Sequence, residues 1–277
     1  MKKNKNKTIK IAWWGKHFGE EPPLIGNKEQ GAGGIFFTGC NLHCVFCQNY
    51  QISQEGFFKK ECTSEELAEI ILGLEKQGAV NIDLVTPTIW FAQIKSAIVL
   101  AKKKGLKIPI VWNSNACEAA ALLRQMEGLV DIYLPDFKYG DEEAAIKYSQ
   151  ASNYPEIAEK AIKEMLRQVG YLKEENGIAK KGLIVRHLVL PNNLENSFAV
   201  LKILAGIDKK IHLSLLNQYY PAYKAEDFPE INRQLTEEEF ARVHDFALAL
   251  GFENGWVQTE KSAEAFLPDF RKENPFA

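Results

Sequence analysis

The feature that most limits what this chain can fold into is its alternation of short apolar, β-rich runs with amphipathic helical patterns, repeating at about thirty-residue spacing. The runs fall at 34–38, 81–86, 108–113, 130–134, 183–190 and 211–216. Most are nearly continuous in Val, Ile and Leu, as parallel strands covered on both faces require. Between and after them the sequence pattern predicts helices over 64–78, 91–104, 117–127, 155–169, 194–206 and 236–250. Ser64 and Thr236 stand before glutamates and read as N-caps, and Pro155 suits a first turn. Gly105, Gly128, Gly170 and Gly251 sit where helix ends favour them. Six β-then-α units joined by right-handed crossovers give an α/β fold, a parallel sheet curved into a partial (β/α)6 TIM-like barrel. A doubly wound open sheet has the same local pattern and stays open as an alternative at this point.

Gly31, Gly33 and Gly34 lead into the first expected strand. Dinucleotide-binding glycines follow their strand, so these are read as backbone flexibility where the chain enters the fold. Residues 1–33, with Pro22 and Pro23, are expected to form an N-terminal extension packed on the barrel, and residues 34–277 the core domain.

The 277 residues, 46% hydrophobic and 25% charged, supply enough core for one barrel. A net charge of -2 lacks the basic excess of a general nucleic-acid binder. The lysine-rich start reads as a solvated tail, and the apolar run at 11–14 ends at Gly15 and Lys16, too short for a signal peptide. No later stretch reaches membrane-span length, so a cytoplasmic monomer is expected, without nucleic-acid or membrane partners. In a reducing compartment, five cysteines with three packed into residues 40–47 point to metal or catalysis rather than to a disulfide framework.

Those three lie in Gly39-Cys40-Asn41-Leu42-His43-Cys44-Val45-Phe46-Cys47-Gln48-Asn49, directly after the first expected strand, at the edge where barrel enzymes place their chemistry. Three thiolates at this spacing can fold round one inorganic cluster, and a cubane has four irons, so one iron is left without a protein ligand. An open position of that kind separates a catalytic metal site from a closed structural one. Other readings compete. A structural zinc site needs a fourth ligand, for which the loop offers His43 but no second cysteine pair. A bacterial ferredoxin run would carry a fourth cysteine before a proline. Unliganded buried thiols rarely occur three to a loop. Cys62 and Cys117 lie singly on expected helices and read as buried thiols, and the scattered His17, His187, His212 and His244 read as structural.

Two further features carry their own physical reading. Asp136 and Lys138, two residues apart, share one face of extended chain at a strand exit. They could hold a zwitterionic amino acid, or form an ordinary surface ion pair contributing at most about 1 kcal/mol. Arg186 sits mid-strand between Ile184 and Leu188 on one face and must find an anion, because an unpaired buried charge is costly. A cofactor carboxylate or Asp136 would serve, and a barrel ion pair serves equally. The 138–155 segment, with a short helix pattern over 141–149, is expected to overhang the active edge and shape the substrate entrance.

The CxxxCxxC spacing, with Phe46 before its last cysteine, resembles the signature of the radical S-adenosylmethionine (SAM) superfamily. The resemblance implies a partial barrel of the radical SAM type and a [4Fe-4S] cluster on Cys40, Cys44 and Cys47. It further implies that the amino and carboxylate groups of S-adenosylmethionine chelate the fourth iron. One electron, delivered through a donor such as flavodoxin or ferredoxin, would then cleave the cofactor to methionine and a 5'-deoxyadenosyl radical that abstracts a hydrogen atom.

Within the superfamily the chain resembles the activating enzymes of glycyl-radical proteins, of the pyruvate formate-lyase activating type. Cys47-Gln48-Asn49 is similar to their Cys-x-Asn, and Trp112-Asn113-Ser114-Asn115 stands where they read Asp-Thr-Asn-Gly. Asp136-Phe137-Lys138 is similar to their Asp-Leu-Lys, and Val185-Arg186-His187-Leu188-Val189-Leu190-Pro191 to their Val-Arg-Tyr-Val-Val-Val-Pro. On this resemblance Phe46, Asn49, Thr86, Thr88, Asn113, Ser114, Asn115, Asp136, Lys138 and Arg186 are expected around the cofactor, with a glycyl-radical protein as partner. The chain also departs from the pattern. Thr86-Pro87-Thr88 replaces Gly-Gly-Glu, the segment 217–221 lacks a histidine, and Asn113 replaces the aspartate that helps the relatives hold a monovalent cation. Radical chemistry on another peptide or small molecule, or a non-catalytic iron–sulfur or zinc protein, remain as alternatives.

Overall fold

The sheet begins earlier in the chain than the apolar runs suggest. In the computed structural model, which describes residues 8–257 and 267–276, β1 (Ile9–His17) precedes a single helical turn, α1 (Pro22–Ile25), and β2 (Ala32–Phe37). The lysine-rich residues 1–7 lie outside the described part. A second short turn, α2 (Tyr50–Ser53), and β3 (Lys60–Cys62) follow, and then the regular β/α succession starts. It runs α3 (Ser64–Lys76), β4 (Ile82–Val85), α4 (Phe91–Lys103), β5 (Ile110–Ser114), α5 (Ala120–Leu123), β6 (Ile132–Pro135), α6 (Glu142–Ser149) and α7 (Tyr154–Val169). The chain closes with β7 (Lys173–Glu175), β8 (Ile178–Leu188), α8 (Leu194–Ile207), β9 (His212–Leu216), α9 (Glu237–Leu250) and β10 (Gly255–Val257).

The strand order is β10-β9-β8-β6-β5-β4-β2-β1-β3, with β7 hydrogen-bonded to β8. Every pairing from β2 to β10 along this path is parallel, whereas β1 runs antiparallel to both β2 and β3. A doubly wound sheet reverses its strand order at a switch point. Here the parallel strands keep chain order, as they must when each right-handed crossover returns its helix to the same face. The sheet does not close, since β3 and β10 end the path, and the result is the partial barrel.

Side chains sort by strand alternation. Ile35, Leu84, Trp112, Tyr133 and Val185 point outward into the core shared with the helices. Val111, Ile132, Leu134 and Ile184 point inward and pack on Leu24 of α1, which plugs the concave side. Burying a side chain of this size contributes about 1.5–3 kcal/mol, so the plug fixes the adjoining Glu20 and Glu21 inside the barrel.

Several local expectations need correction. Gly33 and Gly34 are inside β2 rather than in a flexible lead-in. A Cβ on Gly33 would lie 2.8 Å from the Asn81 carbonyl, and one on Gly34 3.2 Å from the His17 side chain, so the need is close approach. The N-cap of α3 is Thr63, one residue before Ser64, in a reciprocal box with Glu66. Thr236 caps α9 in the same way with Glu239. The helix expected over 117–127 shrinks to α5 and a 3₁₀ turn, because residues 115–118 are committed to hydrogen bonds described below. Cys62 therefore sits on a strand and Cys117 in a loop. The C-terminal residues return to β1 and β2, where Phe276 packs edge-on against Trp13 at 5.2 Å and tilts over Phe36 at 5.3 Å. No helix among the described residues is long and apolar enough to cross a membrane.

Candidate functional site

At the C-terminal ends of the parallel strands a cavity of about 510 Å³ opens, within the range of small-molecule sites. Cys40, Cys44 and Cys47 all line it. Gly39, with φ of +88°, makes the turn from β2 into the cysteine loop, a conformation that a side chain would strain.

Each thiol has a polar neighbour. The Asn115 amide donates to Cys40 Sγ at 3.4 Å, as does the Leu42 N–H. Ser149 Oγ donates to Cys44 Sγ at 2.9 Å, and Ser53 Oγ lies 3.2 Å from Cys47 Sγ. Ser149 ends α6, and the carbonyls of Tyr148 and Ser149 accept the N–H groups of Val45 and His43. The 138–155 segment therefore braces the cysteine loop, and of its residues Lys138 lines the cavity. Burial, reinforced by the neighbouring Cys44, pushes the Cys40 thiol up to about 11 and that of Cys47 up to about 12. Burial raises Cys44 as well. Without a positive centre the three stay protonated, so metal binding here releases protons.

The donor set fits an iron–sulfur cubane. Among the described residues no three His, Cys, Asp or Glu side chains converge as a single ion demands, whereas thiolates on separate corners of a cubane need not converge. His43 is exposed and turned to Gln54, 3.0 Å away, which removes the candidate fourth ligand of a zinc site. Cys62 is buried beside β1, and Cys117 lies half-buried outside the cavity.

Residues from the ends of β4, β5, β6 and β8 share this cavity with the cysteines. Thr86, Asn113, Ser114, Asn115, Asp136, Lys138 and Arg186 all line it, as do Phe46 and Asn49 of the cysteine loop. Phe46 is buried edge-on against Tyr219, with ring centroids 5.6 Å apart. Lys138 Nζ donates to Asp136 Oδ2 at 2.7 Å, with both side chains mostly buried. Burial works against the ammonium, but the Asp136 carboxylate beside it holds Lys138 above the ordinary lysine range. The buried Tyr154 hydroxyl accepts the Lys138 N–H at 2.9 Å and lies 2.8 and 2.9 Å from the carbonyls of Asn115 and Asp136. It thereby fixes two strand ends to each other.

Two expected residues behave differently. Thr88 does not line the cavity; its hydroxyl donates to Glu118 Oε1 at 2.9 Å. Arg186 does line it, but its anions are Glu20 and Glu21 rather than Asp136. Arg186 Nε donates to Glu21 Oε1 at 2.8 Å and a terminal nitrogen to Glu21 Oε2 at 2.6 Å, with Glu20 on the same nitrogen. Burial raises the Glu20 carboxyl, but the Arg186 guanidinium and the His17 ring together outweigh it and hold that group well below the usual carboxylate range. His17, expected to be structural, lines the cavity with Nε2 3.4 Å from Glu20. His187 is structural: it is fully buried, spans Phe137 O and Ser197 Oγ at 2.8 Å each, and burial lowers its pKa to about 4. Asn113 turns its amide toward Asp83 Oδ2 at 3.4 Å. Sequence reasoning missed Ser53, Ser149, Tyr154, Glu20, Glu21 and Glu118, which carry no motif and reach the site only through folding.

Comparison with known proteins agrees with this geometry. The sequence profile of the radical SAM superfamily matches residues 35–201, more than half of the chain. The uncharacterized protein MJ0674 of Methanocaldococcus jannaschii is 35% identical over 242 residues, 83% of this chain and 64% of its own length. A second protein of that organism, MJ0808, is 25% identical over 217 residues, 73% of this chain and 59% of its own. The chain thus spans less than two thirds of both relatives. Among solved structures, Streptococcus suis SuiB bound to S-adenosylmethionine superposes with a TM-score of 0.57 at 13% identity, over 83% of this chain and 50% of that one. HydG, a maturase of the [FeFe]-hydrogenase, superposes with a TM-score of 0.55 at 14% identity, over 82% and 51%. These two share the fold. The three cavity-facing cysteines, the partial barrel and the profile match together lead to one conclusion: the chain belongs to the radical SAM superfamily.

Proposed function

We propose that the protein binds a [4Fe-4S] cluster and S-adenosylmethionine in this cavity and abstracts a hydrogen atom from a glycine of a partner protein, leaving a glycyl radical. The observation that carries the radical reading is that three thiols and the Asp136–Lys138 pair line one cavity at the same strand edge. Bound together there, cluster and cofactor supply the electron and the radical for hydrogen-atom abstraction. Cys40, Cys44 and Cys47 hold the cluster, and the hydrogen bonds from Asn115 and Ser149 tune its sulfurs. The Asp136–Lys138 pair offers a carboxylate and an ammonium to the amino-acid end of the cofactor. Apolar walls from Phe36, Leu188 and Phe276 keep water from the reaction. A monovalent cation is not part of the proposal, because the Asn113 amide donates to Asp83.

The glycyl-radical partner rests on the strand-end motifs shared with activating enzymes. SuiB has been solved with its precursor peptide SuiA bound, and a peptide side chain is the second substrate class that the shared fold supports. The test is to incubate reconstituted enzyme, S-adenosylmethionine and a flavodoxin or ferredoxin reductant with glycyl-radical proteins from the same cell. An electron paramagnetic resonance doublet that disappears with the partner's radical-site Gly→Ala variant supports activation. Cofactor cleavage with every such partner silent removes the glycine and keeps the radical chemistry.

A further inference from the structure

Among the described residues no cation pairs with the Glu118 carboxyl. Glu118 is 3% exposed, stands in the loop between β5 and α5, and does not line the cavity. Its oxygens accept three hydrogen bonds from neutral donors: Thr88 Oγ1 at 2.9 Å, the Trp112 indole N–H at 2.8 Å and Ser114 Oγ at 2.6 Å. Burial raises its pKa and the three donors oppose that rise. A buried carboxyl is costly unless its partners are in place, and here all three can donate.

Those donors flank two loops: Thr88 lies in the loop after β4, while Trp112 and Ser114 belong to β5, just before the loop that holds Glu118. Both loops hold a residue in the left-handed region, Thr86 at φ +58° and Ala116 at φ +60°. A β-branched residue there is strained by about 1–3 kcal/mol and persists only where its surroundings fix it. Glu118 is such a surrounding. Its backbone N–H bonds Ala116 O at 2.9 Å, and its side chain bonds Thr88, two residues past Thr86. Thr86, Ser114 and Asn115 line the same cavity as the cysteines, and Asn115 reaches Cys40 and Asn41.

We infer that Glu118 is a positioning residue that locks the loops after β4 and β5 into the rim on which S-adenosylmethionine is held. It acts through Thr88, Ser114 and the backbone, not by touching the cofactor. Glutamine keeps one acceptor oxygen for Thr88 and Trp112, and its amide can donate to the rotatable Ser114 hydroxyl, so it should largely preserve the rim. Alanine cannot.

This inference rests on the radical SAM reading. The experiment measures equilibrium binding of S-adenosylmethionine to anaerobically reconstituted protein, with iron content and thermal unfolding recorded in parallel. Glu118→Ala should weaken binding about tenfold or more with iron content unchanged, the scale typical of lost supporting hydrogen bonds at a site. Glu118→Gln should stay within about threefold, since it retains the packing and most of the bonds. If Glu118→Ala does not fold, Thr88→Val carries the test. It removes one donor at nearly constant shape and should weaken binding by about threefold, the scale of one modest hydrogen bond. Folded Glu118→Ala or Thr88→Val protein that binds within the error of wild type overturns the positioning role. Wild-type protein with a full cluster but no measurable cofactor binding overturns the functional reading first, and this inference with it.

Discussion

Replacing Arg186 by methionine should cost the protein a large part of its stability. The guanidinium is 12% exposed and holds Glu20 and Glu21, which are 6% and 5% exposed at their side chains. Methionine matches much of the arginine stem but leaves two buried carboxylates without a counter-charge. Removing one member of a buried ionic network costs about 3–5 kcal/mol, and a rim ion pair well under 1. For a chain of this size that corresponds to roughly 10 °C in the unfolding midpoint. The pH dependence provides a second readout. The guanidinium holds Glu20 well below its ordinary value of 4.5, so this stabilisation is present above that pH and fades as pH falls below it. In Arg186→Met burial lifts the same carboxyl above 4.5, so the difference between variant and wild type should begin to shrink before pH 4.5 and go on shrinking below it. Urea unfolding between about pH 7 and about pH 2.5 measures both. The triple change Arg186→Met, Glu20→Gln, Glu21→Gln should recover part of the loss, because it leaves no buried charge behind. A loss below about 1 kcal/mol, or a triple variant less stable than Arg186→Met alone, refutes this account of the barrel floor.

Cys40→Ala, Cys44→Ala and Cys47→Ala should each lose the brown colour, whereas Cys62→Ala and Cys117→Ala should keep about four irons per chain by colorimetric assay. Ser149→Ala removes the donor to Cys44 Sγ and should retain the cluster at a more negative reduction potential, read by a redox titration followed by electron paramagnetic resonance. Lys138→Ala should weaken S-adenosylmethionine binding about tenfold or more with iron content unchanged, and normal binding would remove the Asp136–Lys138 pair from the cofactor site.

Much of the site was legible because its chemistry is local. The cysteines lie within eight residues of one loop, and Asp136 and Lys138 are neighbours across one intervening residue. Spacing alone therefore brings each group together. The parallel strands were legible too, since burial on both faces writes a continuous apolar run. β1 was not. Its Ala12-Trp13-Trp14-Gly15-Lys16 segment mixes apolar and polar residues, because one edge of it meets the C-terminal residues and Trp14 is exposed. The helix expected over 117–127 failed for a related reason. Glu118 has a good helical propensity, yet its three side-chain bonds outweigh that preference of a few tenths of a kcal/mol.

What the sequence carried by itself is the fold class, readable from periodicity, the clustering of Cys40, Cys44 and Cys47 in one loop, and a motif that resembles the superfamily's signature. What only the tertiary structure decided is which distant groups meet. Glu20 finds Arg186 across 166 positions, Ser149 finds Cys44 across 105, and Thr88 finds Glu118 across 30. A one-dimensional pattern records each residue's own propensity and burial, whereas these bonds exist only after the crossovers have returned the strand ends to one edge and the α1 plug has filled the barrel. Sequence placed the three cysteines in one loop, and folding supplied the hydrogen-bond partners that surround them.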